Sequence, residues 1–390
     1  MRITLPAARF FAAEDGAVRC TLCPHRCCLV PGGAEIRSGL CGIRGAVLSG
    51  NGMQGKSGNG PSNGGMPAGA VLELPYYGYI TALAIDPIEK KPLYHWRPGS
   101  SIASIGFAGC NLRCPFCQNW HISQVGGTGT PAPAARLRLN PEELVAAVMA
   151  VYAESGTAKH PEHYEPESRQ IAYTYSEPLV HAEYLTGCMA EARKENIANI
   201  LVTNGCVNAE TAEAVLGLAD AANIDLKCFS EKTYTNILGG KLHAVLDFIR
   251  LAVARGVHTE ITTLVVPGLN DSERELAEIA EFIAGLSGEI AWHLSAYHPD
   301  WKWNVPPTNP AKLSAAAEQA RAILPHVYAG NIAGEQNDTH CRHCGSLLVQ
   351  RVGYRVNTPC LAREEQAETT EKAAFYRCTS CGKPAPIRWK

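Results

Sequence analysis

From Ser101 to Gly334, short apolar runs alternate with longer amphipathic stretches. The runs IASIGFA (102–108), IAYTY (171–175), NILVT (199–203), ANIDL (222–226), TEITTLVV (259–266) and IAWHLSAY (290–297) read as strands, by their length and their bounding turn residues. Ala-rich segments with apolar residues at helical spacing predict helices over 179–195, 208–219, 241–255, 272–286 and 310–323. An earlier helix is predicted to start at Asn140, with Pro141 at its first position and Glu143 placed to close a capping box. HVYAG (326–330) predicts a short last strand. Six β-then-α units predict parallel strands joined by crossover helices. The pattern fits a whole or partial (β/α) barrel better than an open two-halved sheet, although periodicity alone leaves both open.

Composition changes at both ends of this region. A cysteine-rich unit occupies residues 1–48, and NGMQGKSGNGPSNGGMPAG dominates a Gly/Asn/Ser-rich insertion at 49–69. That insertion holds too little apolar surface to order itself and is expected to be flexible. Residues 70–100 read as short strands and turns, 101–334 as the core domain, and 335–390 as a second cysteine-rich unit. Within the core, Gly126–Ala135 and Ser155–Gln170 are expected to be loops. Apolar residues make up 46% of the chain, enough for a sizeable core. Lys and Arg total 35 against 37 Asp and Glu, which disfavours a general nucleic-acid or anionic-membrane binder. No run of 18 apolar residues exists and Met1–Val18 lacks the pattern of a secretory signal, so a cytoplasmic chain without a membrane span is expected. Sixteen cysteines then call for metal-bound thiolates rather than disulfides, because they cluster at ligand spacing.

The sharpest cluster is GCNLRCPFCQNW (109–120), with Cys110, Cys114 and Cys117 just after an apolar strand. Three thiolates in one loop can hold three irons of a [4Fe-4S] cubane and leave the fourth without a protein ligand. That open iron can chelate the amino and carboxylate groups of S-adenosyl-L-methionine (SAM) and pass an electron into its sulfonium. The competing reading is a zinc site completed by His121; buried, unligated thiols are a third.

C-x3-C-x-aromatic-C resembles the hallmark of the radical SAM superfamily, with Phe116 as the aromatic residue that the resemblance places near the adenine. The chain is similar to activating enzymes of pyruvate formate-lyase type. It is more similar still to the radical SAM member of the AmmeMemoRadiSam system, through IDPIEKKPLYHW, GCNLRCPFCQNWHIS, YTYSEP, NIDLKCF and TTLVVPGLND. The resemblance covers about residues 19–350. It implies a partial (β/α)6 radical SAM barrel, an electron donor such as flavodoxin or ferredoxin, and participation of Memo-like and AMMECR-like proteins.

Chemistry in such barrels gathers at the C-terminal ends of strands. The resemblance implies that Ser176-Glu177-Pro178 stands where a GGEP-like motif meets the SAM amino group, although both glycines are missing; the plainer view makes Glu177 a helix N-terminal carboxylate. Thr203-Asn204-Gly205 ends the third strand. Asp225 and Lys227 share one face of the fourth strand. Resemblance makes Lys227 the partner of the SAM carboxylate and Asp225 part of a polar network beside it; an ordinary ion pair is the alternative. Pro267 would read the adenine edge, or would simply mark a turn, and His298 resembles a histidine that meets the ribose. His293 reads as an interior residue. Cys188, Cys206 and Cys228 stand alone and read as buried apolar residues, with a reactive role open for the last two.

Two further cysteine sets remain. Cys20, Cys23, Cys27 and Cys41, with Cys28 spare, make a closed four-ligand set for which zinc is preferred to a second iron–sulfur cluster. Cys341, Cys344, Cys378 and Cys381 form two C-x2-C-G knuckles of zinc-ribbon type, with Cys360 outside the set. Three functions are consistent with these features: a radical SAM enzyme acting on an unidentified protein or small molecule, a glycyl-radical activase, and a non-enzymatic zinc scaffold.

Overall fold

The computed structural model describes residues 9–14, 16–31, 39–48, 70–125, 137–155, 169–334, 337–364 and 375–389. The insertion at 49–69, the break at 126–135 and most of the 155–170 loop lie outside the described residues.

The alternating pattern folds as six β-then-α units and a seventh strand: β1 (Ser101–Gly106), α1 (Pro141–Ser155), β2 (Gln170–Thr174), α2 (Ala182–Lys194), β3 (Ala198–Thr203), α3 (Ala209–Leu216), β4 (Ala221–Asp225), α4 (Leu242–Ala254), β5 (His258–Val265), α5 (Glu273–Leu286), β6 (Trp292–Ala296), α6 (Pro310–Ala320) and β7 (Val327–Gly330). The seven strands are parallel and lie side by side in chain order. An eighth, Ala82–Pro87, pairs antiparallel with the outer side of β1, so the sheet is mixed and ends on this strand and on β7. The strands are buried along almost their whole length, as crossover helices on a parallel sheet require. The capping box forms: Asn140 Oδ1 accepts from the Glu143 N–H and Glu143 Oε2 from the Asn140 N–H, each at 2.8 Å.

IDPIEKKPLYHW closes the underside of the sheet. Glu260, fully buried near the start of β5, accepts from the backbone N–H groups of Tyr94 (2.9 Å) and His95 (2.8 Å) and pairs with His258 (3.0 Å) and His293 (2.7 Å). Burial pushes its carboxyl up, but the two imidazoles outweigh this and hold it well below the usual range. His293 is thus a satisfied interior residue.

The C-terminal unit carries two small antiparallel sheets (Thr339–His340, Leu347–Val352, Arg355–Asn357; Leu361–Glu364, Phe375–Cys378, Pro384–Arg388). It docks against this underside. Arg388 exchanges backbone bonds with Arg97 (2.9 Å) and His95 (2.8 Å), and the Arg351 guanidinium lies 4.3 Å from the Tyr94 ring centre. The N-terminal unit, built on Phe11–Glu14, Ala17–Cys20 and Cys28–Leu29, docks instead on α2 and α3. Arg44 forms a buried two-point ion pair with Glu183 (2.7 and 2.9 Å), and Asn208 and Thr211 donate to the carbonyls of Thr21 and Leu22. Among the described residues, no helix is long and apolar enough to cross a membrane.

Candidate functional site

The loop after β1 carries the cysteine triad over the C-terminal ends of the strands. Gly109 takes φ +82°, and an added Cβ would sit 2.6 Å from the Cys41 carbonyl oxygen and 2.3 Å from the Ile43 side chain. Only glycine fits this turn and this approach. Beyond it, Cys110, Cys114 and Cys117 face a cavity of about 230 Å³. Phe116, Gln118, Tyr175, Ser176, Glu177, Asn204, Asp225 and Lys227 also line it.

Two of the three thiols meet a hydrogen-bonding neighbour. The Leu112 N–H donates to Cys110 Sγ at 3.3 Å, Asn204 Nδ2 approaches the same sulfur at 3.6 Å, and Ser123 Oγ lies 3.3 Å from Cys117 Sγ. Donors of this kind tune a thiolate-held metal group. Burial pushes the Cys114 thiol up to about 12 and the Cys110 thiol up as well, so assembling a cluster here must expel their protons. The donor set fits a cubane bound at three corners. His121 is exposed and does not line the cavity.

Lys227 Nζ stands 3.1 Å from Asp225 Oδ2. Burial opposes its charge, but Asp225 and the nearby thiols of Cys114 and Cys117 outweigh this and raise its pKa. This leaves a fixed ammonium facing the triad. Glu177 is fully buried. It lines the cavity and also caps the turn at Pro178–His181, accepting from the Leu179 N–H (3.0 Å), Thr203 Oγ1 (2.6 Å) and the Asn204 N–H (2.8 Å). Burial pushes its carboxyl up to about 7. Thr203 therefore lies behind the wall and acts through Glu177.

Tyr175 holds φ +69°, a left-handed conformation unusual for a residue with a side chain, where the resembled motif has glycine. Its hydroxyl donates to Asp86 (2.7 Å), and the Lys91 ammonium lies 4.5 Å from the ring centre. Asp86 also holds Lys91 (2.8 Å) and Ser104 (2.8 Å). One function of the IDPIEKK run is thus to brace this turn, a link that sequence reasoning missed.

Of the sequence-predicted contacts, Phe116, Glu177, Asn204, Asp225 and Lys227 come together at the cavity, and Pro267 and His298 do not line it. Pro267 sits in a turn whose next N–H is held by Asp271, and His298 meets Gln118 at 2.8 Å. Thr262, Ser295 and Asn331 join the wall; Thr262 lies within β5 at the start of the TTLVVPGLND run, Ser295 is one residue before the end of β6 and Asn331 just after β7. Cys188, Cys206 and Cys228 are buried, with thiols raised by that burial, in keeping with apolar packing roles.

The other cysteine sets differ from each other. Cys341, Cys344, Cys378 and Cys381 bring all four sulfurs within 4.8 Å of one another, with contacts of 3.7 Å (Cys341–Cys381) and 3.6 Å (Cys344–Cys378). A tetrahedral metal with thiolates at about 2.3 Å gives sulfur separations of about 3.8 Å. No other such group is gathered among the described residues. The expected zinc geometry is therefore absent at Cys20, Cys23, Cys27 and Cys41, although all four line one small cavity.

A partial barrel of parallel strands with a three-cysteine loop over its C-terminal mouth defines a class of proteins whose clustered thiols open into a cavity at the strand ends. The radical SAM superfamily model matches residues 104–283, and this chain belongs to the radical SAM superfamily. An uncharacterized protein of Methanocaldococcus jannaschii is 32% identical over 378 residues, covering 96% of both chains. A pyruvate formate-lyase-activating enzyme of Clostridium pasteurianum is 23% identical over 195 residues, which is 49% of this chain and 73% of that enzyme. A solved domain of a pyruvate-formate lyase-activating enzyme from Bacteroides vulgatus is 20% identical, with a TM-score of 0.35 over 42% of this chain and 99% of that one.

Proposed function

We propose that Cys110, Cys114 and Cys117 hold a [4Fe-4S] cluster at which this chain cleaves SAM reductively, and that the resulting radical takes a hydrogen atom from a protein or small-molecule substrate. One observation carries the reading: the three thiols open into a cavity of about 230 Å³ that also presents the Lys227–Asp225 pair. When bound, the cluster supplies a low-potential electron and an open iron, and SAM then yields methionine and a 5′-deoxyadenosyl radical. The chain supplies the rest. Lys227 neutralises the SAM carboxylate and Asp225 fixes the ammonium. The turn at Tyr175–Ser176 offers its backbone to the SAM amino group, braced by Glu177 and, behind it, Thr203. Asn204 keeps a donor on Cys110, and Phe116 flanks the adenine. His298 acts through Gln118, and Pro267 holds the adenine side of the loop.

The finer reading, a radical SAM enzyme of the AmmeMemoRadiSam system in the cytoplasm, rests on the shared runs. It brings with it a flavodoxin- or ferredoxin-like electron donor and Memo-like and AMMECR-like partners. Zinc is the metal proposed for Cys341, Cys344, Cys378 and Cys381. The similarity to pyruvate formate-lyase-activating enzymes favours a second reading, activation of a glycyl-radical enzyme, in which an EPR doublet would appear on a partner protein. The zinc scaffold fits less well, because the triad is not gathered as the C-terminal set is.

Cys114→Ala tests the proposal. Anaerobically loaded wild-type protein given SAM and dithionite should form 5′-deoxyadenosine, and the variant should form none while keeping its circular dichroism spectrum. Undiminished product from the variant would overturn the ligand assignment.

A further inference from the structure

Cys20, Cys23, Cys27 and Cys41 reach one place from four separate points of the N-terminal unit. Cys20 ends a strand, Cys23 and Cys27 flank a turn closed by the bond from the Cys20 N–H to the Cys27 carbonyl (2.9 Å), and Cys41 returns after a chain excursion. Together with Leu22, Leu29, Leu40 and Val180 they line one small cavity.

Three features of this cavity call for an occupant. One sulfur already has a donor: the Leu40 N–H points at Cys27 Sγ (3.5 Å). Arg44, 1% exposed, lines the cavity and leaves its Nε–H without any partner, while its other nitrogens are held by Glu183 and the Arg9 carbonyl. A buried guanidinium N–H without an acceptor is costly, and an anionic sulfur-rich group would supply one. Third, the four thiols stand too far apart for a single tetrahedral ion, in contrast to the C-terminal set of the same chain. They also show no close sulfur pair of the kind seen at Cys341–Cys381, which two thiolates sharing one iron would make. Thiolates bound to four different irons stand further apart, and four cysteines complete a cubane.

We propose that Cys20, Cys23, Cys27 and Cys41 hold a second, fully ligated [4Fe-4S] cluster, to which Arg44 donates through Nε. The site lies directly behind the first. The His25 ring meets the Asn111 carbonyl at 2.8 Å, one residue from Cys110, and the Cys41 carbonyl packs against Gly109. It does not open into the large cavity. A cluster there has no open iron and no contact with SAM, which suits it to pass single electrons or to rigidify the triad loop.

The test is metal content of the full-length protein purified without oxygen. The expected result is about eight irons with matching sulfide and about one zinc per chain. About four irons with two zincs, or about four irons with one zinc, overturns the proposal. Two variants locate the second cluster. Cys110→Ala/Cys114→Ala/Cys117→Ala should retain about four irons and a reduced-state EPR signal that SAM does not alter. Cys20→Ser/Cys23→Ser should also fall to about four irons but keep a SAM-sensitive signal. Iron lost entirely from the triad variant, while it remains folded, rejects the N-terminal cluster. A SAM-insensitive signal in the Cys20/Cys23 variant would instead count against the SAM reading of the triad and leave the second cluster standing.

Discussion

Lys227 and His181 show how single side chains set the terms at the mouth. The Lys227 ammonium is fixed by Asp225 and faces the triad rather than solvent. Charge-assisted bonds contribute about 1.5–3 kcal/mol, so Lys227→Ala should weaken SAM binding about 10–100-fold. Calorimetric titration of the loaded protein checks this, and undiminished affinity would remove the assigned role. His181 is buried against Phe107, with Nε2 at 2.7 Å from the Ala108 carbonyl just before the triad loop. Burial pushes its pKa down to about 4 from 6.5. The folded state therefore disfavours the proton that the unfolded chain accepts below 6.5. Stability from this residue is full above pH 6.5 and declines as pH falls towards 4. Urea titrations across that window should show a shallower loss in His181→Phe than in the wild type. At this scale motifs in the sequence single out Cys110, Cys114, Cys117 and Lys227, and the fold brings them to one cavity. Nothing in the sequence singles out Ser295 and Asn331, because lone polar residues near strand ends acquire meaning only when neighbouring strands bring them to one wall.

The elements were largely legible. Their boundaries follow apolar periodicity and local capping, both encoded within a few residues, as at Asn140 and Glu143. Asn140→Ala should cost about 1 kcal/mol by opening that capping box, measurable by urea denaturation; no change would mean α1 is held by packing alone. The antiparallel strand Ala82–Pro87 and the underside cluster were not legible. Glu260 draws its partners from residues about 165 positions earlier and about 33 later, and no local pattern announces such a union. Glu260→Gln keeps one acceptor oxygen but sets its amide donor against either the Tyr94 or the His95 N–H, and on the scale of broken buried pairs should cost about 3–5 kcal/mol. A melting temperature within a degree of wild type would contradict the bracing role of this carboxylate.

For the molecule as a whole, the two cysteine units serve different ends of the barrel. The N-terminal unit backs the triad loop, whereas the C-terminal unit rests on the underside, so any partner it binds meets the face away from the cavity. Cys378→Ser should release the metal of that unit and loosen its hold on Tyr94, His95 and Arg97. A loss of about 1 kcal/mol in the barrel corresponds to a fall of about 2–4 °C in its transition by scanning calorimetry. An unchanged transition would show that the tail merely hangs from the barrel.

The docking of Arg388 on His95 and Arg97 also fixes an order of events at the ribosome. The segment that seals the underside of the sheet is synthesised about 290 residues after the partners it covers. The nascent barrel therefore leaves the backbone of His95 and Arg97 unpaired there until that segment emerges.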